Sequence, residues 1–269
     1  MRKGKIYFVG IGLTPKHITL QALEVIKRVD EVYMDSYTSL LVDDGNELAK
    51  VLGREVKYLR RTDIEDKSLR DAIKKVDEGL DVAVLVVGDP HIATTHVALI
   101  NELKMRGYDV EVIPGISIFC AVMTYTGLSS YRFGKPATIV FPKGGVEYGY
   151  PYYVIKDNKE RGLHTFLLLE LDVEKGVFMK INDAVDILLR FEERYREGVL
   201  SLDEEAVGIA RLGGKDQLIC VDRLSRLREI DFGGPPHSLI ILAPKLHFVE
   251  EESLKVLKSE FRERCSKAP

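Results

Sequence analysis

The residues of this chain that could do chemistry sit in short turns that close apolar runs. The most distinctive is Gly88-Asp89-Pro90-His91-Ile92-Ala93-Thr94-Thr95-His96, which follows six apolar residues, Val82 to Val87. Glycine permits a tight turn, Asp89 sets a carboxylate where the run ends, and Pro90 prevents further strand pairing. Taken alone, Gly-Asp-Pro is equally well an ordinary turn with a solvated or capping aspartate. The small, polar residues after it are unusual where a surface helix would carry charge. His96 is a candidate for touching substrate, and equally a satisfied structural histidine. Gly10-Ile11-Gly12-Leu13, Pro114-Gly115-Ile116-Ser117 and the rigid turn Gly233-Gly234-Pro235-Pro236-His237 are further places where backbone can lie against a ligand. The first lacks the third glycine of a dinucleotide fingerprint, position 15 being Pro15, and no GK[ST] phosphate loop occurs.

These turns need strands to position them. Val82–Val87 has no helical period and is mostly β-branched, as in a strand buried on both faces of a parallel sheet. Residues 6–9, 31–35, 55–59 and 109–113 are further expected strands. Between them, residues 19–29 place Leu20, Leu23, Ile26 and Val29 on one helical face, Leu69, Ile73 and Val76 form a second helix ending at Gly79, and a third runs over about 94–106. Strands alternating with helices imply βαβ units, in which ligands bind beyond the carboxyl ends of the strands. The pattern breaks between Thr126 and Phe133. Beyond it the expected elements are a strand at 137–141, a Gly/Tyr-rich loop at 144–153, strands at 164–171, 206–210, 218–221 and 238–242, a helix capped by Asn182 with Val185, Leu188, Leu189 and Phe191 inward, and a helix at 223–230. A last helix has Leu254, Leu257 and Phe261 inward, with Glu250 to Glu252 at its start matching the helix dipole. The expected organisation is an N-terminal α/β domain over 1–113, a linker and helix over 114–136 and a C-terminal α/β domain over 137–269.

The chain has 269 residues, 45% hydrophobic and 30% charged, with 39 Lys+Arg against 42 Asp+Glu and a net charge of −3. That balance gives no broad attraction for nucleic acid or anionic membrane. No apolar run reaches the roughly 18 residues of a membrane span, and the N-terminus enters a strand too early for a signal peptide. Cys120, Cys220 and Cys265 are scattered and odd in number, which reads as reduced thiols in a cytoplasm. No local spacing of Cys or His suggests a metal site.

The order Gly10-Ile11-Gly12-Leu13, Tyr37-Thr38-Ser39-Leu40-Leu41, Gly88-Asp89-Pro90 with Ala93-Thr94-Thr95-His96, Gly162-Leu163-His164-Thr165, and Pro235-Pro236-His237 with Lys245-Leu246-His247 resembles the diphthine synthase family. The resemblance runs from about residue 6 to 250. Gly-Asp-Pro belongs to the wider tetrapyrrole-methylase-like superfamily, whereas Ala-Thr-Thr-His, Tyr-Thr-Ser-Leu-Leu and Pro-Pro-His are more specific. There are two departures from the family pattern: Ile113 to Ser117 is closer to the general superfamily form, and Gly234 stands where some relatives carry an acid.

The resemblance implies two α/β domains with S-adenosylmethionine folded in a cleft between them, a homodimer, and methyl transfer to the amino group of a modified histidine on translation elongation factor 2, with S-adenosylhomocysteine as product. Carried over position by position, it places cofactor contacts on Leu13, Asp89, Ile92, Ser117, Ile118, Leu169, Leu212 and His237. By side chain alone Leu13, Ile92, Leu169 and Leu212 read as core and Ser117 as a helix cap. Methyl transfer from a sulfonium is an in-line displacement that orientation and a dry cleft can drive, so no general base and no metal is assigned. The competing readings are a methyltransferase of the same fold acting on a tetrapyrrole, and a non-catalytic scaffold that has kept the fold.

Overall fold

A computed structural model describes residues 3–37, 39–43 and 47–266. Thr38, inside the Tyr37–Leu41 segment, lies outside the described residues. The chain forms two compact units. The first runs to Cys120 and takes in Asp172–Gly176; the second comprises Ala121–Leu171 and the chain from Val177. The division falls within the helix after Ser117, inside the 114–136 stretch, and no sequence signal marked the return of 172–176.

The first unit holds β1 (Lys5–Gly10), α1 (Leu20–Arg28), β2 (Glu31–Asp35), α2 (Glu47–Leu52), β3 (Lys57–Leu59), α3 (Arg70–Asp77), β4 (Val82–Val86), α4 (His96–Met105) and β5 (Asp109–Ile113); α5 (Ile118–Thr126) begins in it and ends in the second. The strands form one sheet in the order β3-β2-β4-β1-β5, every pair parallel. Strand β4 has helices on both sides of it, and its side chains alternate between two apolar clusters. Val82, Val84 and Val86 join Ile6, Phe8 and Leu103, while Ala83 and Leu85 join Val9, Ile26 and Met34. A period of two with both faces apolar is what burial on both sides demands.

Helix α1 departs from expectation at Leu20 alone, since Leu23, Ile26 and Val29 do pack on the core side. The Thr19 hydroxyl accepts from Ala22 N–H at 3.1 Å and so makes Leu20 the first helical residue. Ala22, Val25 and Ile26 then face the core, while Leu20 is 80% exposed. Strand β3 is shorter than expected because pairing with β2 begins only at Lys57.

The second unit holds β6 (Ala137–Ile139), α6 (Tyr150–Glu160), β7 (Thr165–Leu169), β8 (Leu171–Asp172), β9 (Val177–Phe178), α7 (Ile181–Tyr195), β10 (Glu205–Ala210), β11 (Leu218–Arg223), α8 (Leu224–Leu227), β12 (His237–Ile241), α9 (Phe248–Glu260) and α10 (Arg262–Cys265). Its main sheet is mixed, in the order β11-β10-β12-β7-β6; only β6 and β7 run parallel.

Three expectations change here. Asn182 lies inside α7, and its amide donates to Arg228 O and Ile230 O; the helix start is closed by Lys180 N–H donating to the Asp183 carboxylate at 2.9 Å. The 144–153 segment is helical from Tyr150, and Tyr152 is a core residue whose hydroxyl donates to Glu192 Oε2 at 2.8 Å. Cys220 and Cys265 form a disulfide with Cα atoms 5.7 Å apart, so the expectation of three reduced thiols fails for two of them. Their 45-residue separation gave no local cue; Cys120 takes no part in a disulfide.

Candidate functional site

At the carboxyl ends of β1, β4 and β5 three loops meet backbone to backbone. Gly12 N–H donates to Gly88 O at 3.2 Å and Gly88 N–H to Gly12 O at 2.9 Å, with both residues at left-handed φ (72° and 77°). A Cβ on Gly10 would lie 2.6 Å from Gly115 N, so this crossing admits only hydrogen there. Asp89 is buried between these loops. Its Oδ1 accepts from His91 N–H at 2.8 Å and its Oδ2 from Gly115 N–H at 3.1 Å, which ties the β4 turn to the β5 turn. The residue singled out for ligand binding is therefore also a structural acceptor, and its remaining lone pairs are what a ligand could use.

The other expected positions of this unit lie beside the crossing. Leu13 is buried, Ser117 is buried and accepts from Phe119 N–H at 3.3 Å, Ile118 is half-buried, and Ile92 is 41% exposed. Thr14 Oγ1 and His17 Nδ1 are buried with no hydrogen-bond partner in the protein. Buried polar atoms are nearly always paired, so these two suit the amine, carboxylate or hydroxyl groups of a polar ligand. His96 is fully buried at the start of α4: the Thr94 hydroxyl meets its Nδ1, and its Nε2 lies 3.3 Å from Asp35 Oδ2.

In the second unit, Leu169, Leu212 and His237 gather at one end of the sheet. His237 opens β12 and pairs with Ala210 at the end of β10, two residues before Leu212; on the other side Ser238 pairs with Leu168, next to Leu169. Arg211, at φ 49°, holds this corner: its guanidinium donates to Phe232 O at 2.6 Å, to Gly234 O and to Asp216 O, while its N–H donates to Pro236 O at 2.9 Å. The carbonyls of Phe232 and Gly234 lie more than twenty residues on, so no local spacing marks this role. His237 Nε2 lies 3.0 Å from Gly234 O, and Nδ1 is buried without a protein partner. With Nε2–H donating, Nδ1 is a neutral acceptor for a ligand N–H or O–H. Among the described residues, no group of three His, Cys, Asp or Glu side chains is placed to hold a metal ion, and no helix is long and apolar enough to cross a membrane.

Burial pushes the imidazole of His237 down to about 4, against a raising effect from its bond to Gly234 and with a further lowering from Arg211. Burial likewise holds His17, His96 and His164 below the usual histidine range. The folded pKa is depressed, so between pH 6.5 and about 4 the unfolded chain binds more protons. Stability is present above that window and lost as pH falls through it, His237 alone contributing on the order of 3 kcal/mol. Thermal melts from pH 7.5 to 4.5 should show a steep fall in Tm, and His237→Gln should flatten it; an unchanged slope in that variant would remove His237 as the cause.

The profile of the tetrapyrrole (corrin/porphyrin) methylases matches residues 5–228. Diphthine synthase of Saccharolobus solfataricus is 42% identical over 257 residues, covering 93% of this chain and 98% of that protein. Diphthine synthase of Sulfurisphaera tokodaii is 40% identical over 249 residues, covering 93% and 97%. Among solved structures, a crystal structure of diphthine synthase matches with a TM-score of 0.82 and 36% identity, covering 97% of this chain and 100% of that one.

Proposed function

The chain belongs to the diphthine synthases of the tetrapyrrole methylase family, and from that premise we propose that it methylates the amino group of the modified histidine of translation elongation factor 2, a step towards diphthamide. It is an enzyme, a methyltransferase that uses S-adenosylmethionine. The likeness along nearly the whole length of the relatives carries this reading most. The unpartnered Thr14 Oγ1, His17 Nδ1 and His237 Nδ1 are consistent with a polar, nitrogen-rich cofactor.

We assign the cofactor contacts to Leu13, Asp89, Ile92, Ser117, Ile118, Leu169, Leu212 and His237. Bound S-adenosylmethionine supplies a methyl group on a sulfonium, activated without help from a protein nucleophile. What the chain contributes is placement. Leu13, Leu169 and Leu212 give apolar surface that excludes water, and Asp89 fixes two loops while offering acceptor capacity. His237, kept neutral by burial, accepts without adding charge. Correct orientation can supply roughly 7–11 kcal/mol of such a barrier. The acceptor amine must arrive unprotonated, since only its lone pair can attack.

The reading includes a homodimer and a cytoplasmic location beside the translation machinery. The Cys220–Cys265 disulfide is at odds with an ordinary reducing cytoplasm and compatible with the disulfide-rich interiors of hyperthermophiles.

Incubating purified elongation factor 2 bearing the precursor histidine with this protein and methyl-labelled S-adenosylmethionine should add label at that histidine, read by peptide mass spectrometry. Label in a tetrapyrrole and none in the factor would favour the same-fold rival; no transfer to either would favour a scaffold.

A further inference from the structure

The segment from Pro90 to Thr95 is an arch pinned at both ends by contacts within the first unit. Its near end is the crossing already described, with Gly88 bonded to Gly12 and Asp89 to Gly115. Its far end is His96, whose side chain is wholly buried beside the equally buried Asp35 at the end of β2. Between the pins His91, Ile92, Ala93 and Thr95 are exposed, and Ala93 holds φ 55°, a left-handed conformation that a β-carbon disfavours. Such a backbone persists only where its surroundings over-determine it.

The far pin is built with care. The Thr94 hydroxyl meets His96 Nδ1, which leaves Nε2 facing Asp35 Oδ2 at 3.3 Å, a close electrostatic contact short of full hydrogen-bond geometry. Asp35 Oδ1 accepts from Tyr37 N–H at 2.9 Å, and the Tyr37 hydroxyl donates to Glu65 at 2.9 Å. The Phe8 ring packs edge-on against the imidazole, centroids 6.1 Å apart. The same β2 loop returns along the first, with Val42 N–H donating to Leu13 O at 2.9 Å. A buried polar pair of this kind is a poor stabiliser compared with apolar side chains of the same volume. What it provides is direction.

Strand order says what that direction serves. The cofactor positions assigned in this unit follow β1, β4 and β5, and none follows β2, which lies on the opposite side of β4. The arch starts on the cofactor side and ends on the β2 side. We propose that Asp35 and His96 are positioning residues for the methyl acceptor: they fix the far end of the arch so that Ala93 to Thr95 present a defined surface to the acceptor side chain. The inference rests on the proposed function.

The test uses the full chain with elongation factor 2 as acceptor. Wild type is assayed first; if it does not methylate the factor, the function fails and this inference with it. If it does, Asp35→Ala and His96→Ala should each raise KM for the factor by about tenfold, the scale of losing one ordinary polar contact. S-adenosylhomocysteine affinity by calorimetry should stay within about threefold of wild type, because the effect is confined to the acceptor. His96→Gln, whose amide can donate to Asp35, should recover most of the loss. The double variant Asp35→Leu/His96→Phe leaves no charge unpaired and so keeps the fold; it should still show the raised KM. A wild-type KM in the double variant, or cofactor affinity falling as far as KM rises, would overturn the proposal.

Discussion

Glu250→Ala lowers the stability of the second unit by about 3–5 kcal/mol, the range for removing one partner from a buried charge network. Glu250 is 1% exposed at the start of α9. Its Oε1 accepts from Ser129 N–H and from the His164 ring, each at 3.1 Å; its Oε2 accepts from His247 N–H at 3.0 Å, with the Arg132 guanidinium 3.4 Å away. His164 Nδ1 accepts from Ala243 N–H at 2.9 Å, which leaves Nε2–H as the donor to Glu250. Arg132 reaches on to Gly162 O and Lys245 O. One carboxylate thus joins the segment after α5, the residue before β7, the turn after β12 and the start of α9. Its loss strands two backbone N–H groups and a buried imidazole, and takes the countercharge from Arg132. Urea unfolding followed by a probe in the second unit measures the cost, and a change below about 1 kcal/mol, the scale of one ordinary hydrogen bond, would contradict it. Burial disfavours the Glu250 charge, but the bonds from His247, His164 and Ser129 outweigh it and hold the carboxyl below its usual value. That stability is present above pH 4.5 and lost on acidification, so wild type and variant should converge as pH falls.

Features that depend on neighbours in sequence were the ones legible beforehand. The β4 run showed its two-sided burial because period and hydrophobicity lie within the strand itself, and the parallel first sheet followed from the alternation of strands and helices. In α1 the spacing finds Leu23, Ile26 and Val29 on the core side and errs only at Leu20, which the Thr19 cap makes the first and exposed residue of the helix. Features that join distant residues left no trace. Cys220 meets Cys265, His96 meets Asp35, and the Arg211 guanidinium gathers the carbonyls of a turn more than twenty residues on. Glu250 read as a charge favouring a helix dipole, when its main work is as a buried acceptor for groups from three other segments. Asp89 was placed at a binding loop from its turn, yet its hold on Gly115 depends on where β5 runs, which sequence alone does not say.

That hold makes Gly115→Ala the substitution expected to damage the first unit's binding loops most. A Cβ at position 115 would lie 2.1 Å from Gly88 O and 2.7 Å from the Gly10 carbonyl carbon. Both neighbours are backbone, in strand ends already bonded to one another, so no side chain can rotate to make room. The β5 turn must move away from the β4 turn, and the Asp89 to Gly115 bond breaks with it. Overpacking of this kind costs about 1–3 kcal/mol or more. The larger effect falls on methyl transfer, since Ser117 and Ile118 move relative to Asp89 and Leu13, and a displacement of about 1 Å can cost about 100-fold in rate. Gly234→Ala is the matched control, because a Cβ there meets nothing within 4 Å and its φ is not left-handed. Calorimetric titration with S-adenosylhomocysteine and a methylation assay on both variants should show near-normal behaviour for Gly234→Ala and loss of both binding and turnover for Gly115→Ala. Wild-type affinity in folded Gly115→Ala would mean that the three-loop crossing sets the fold of this unit without setting its binding site.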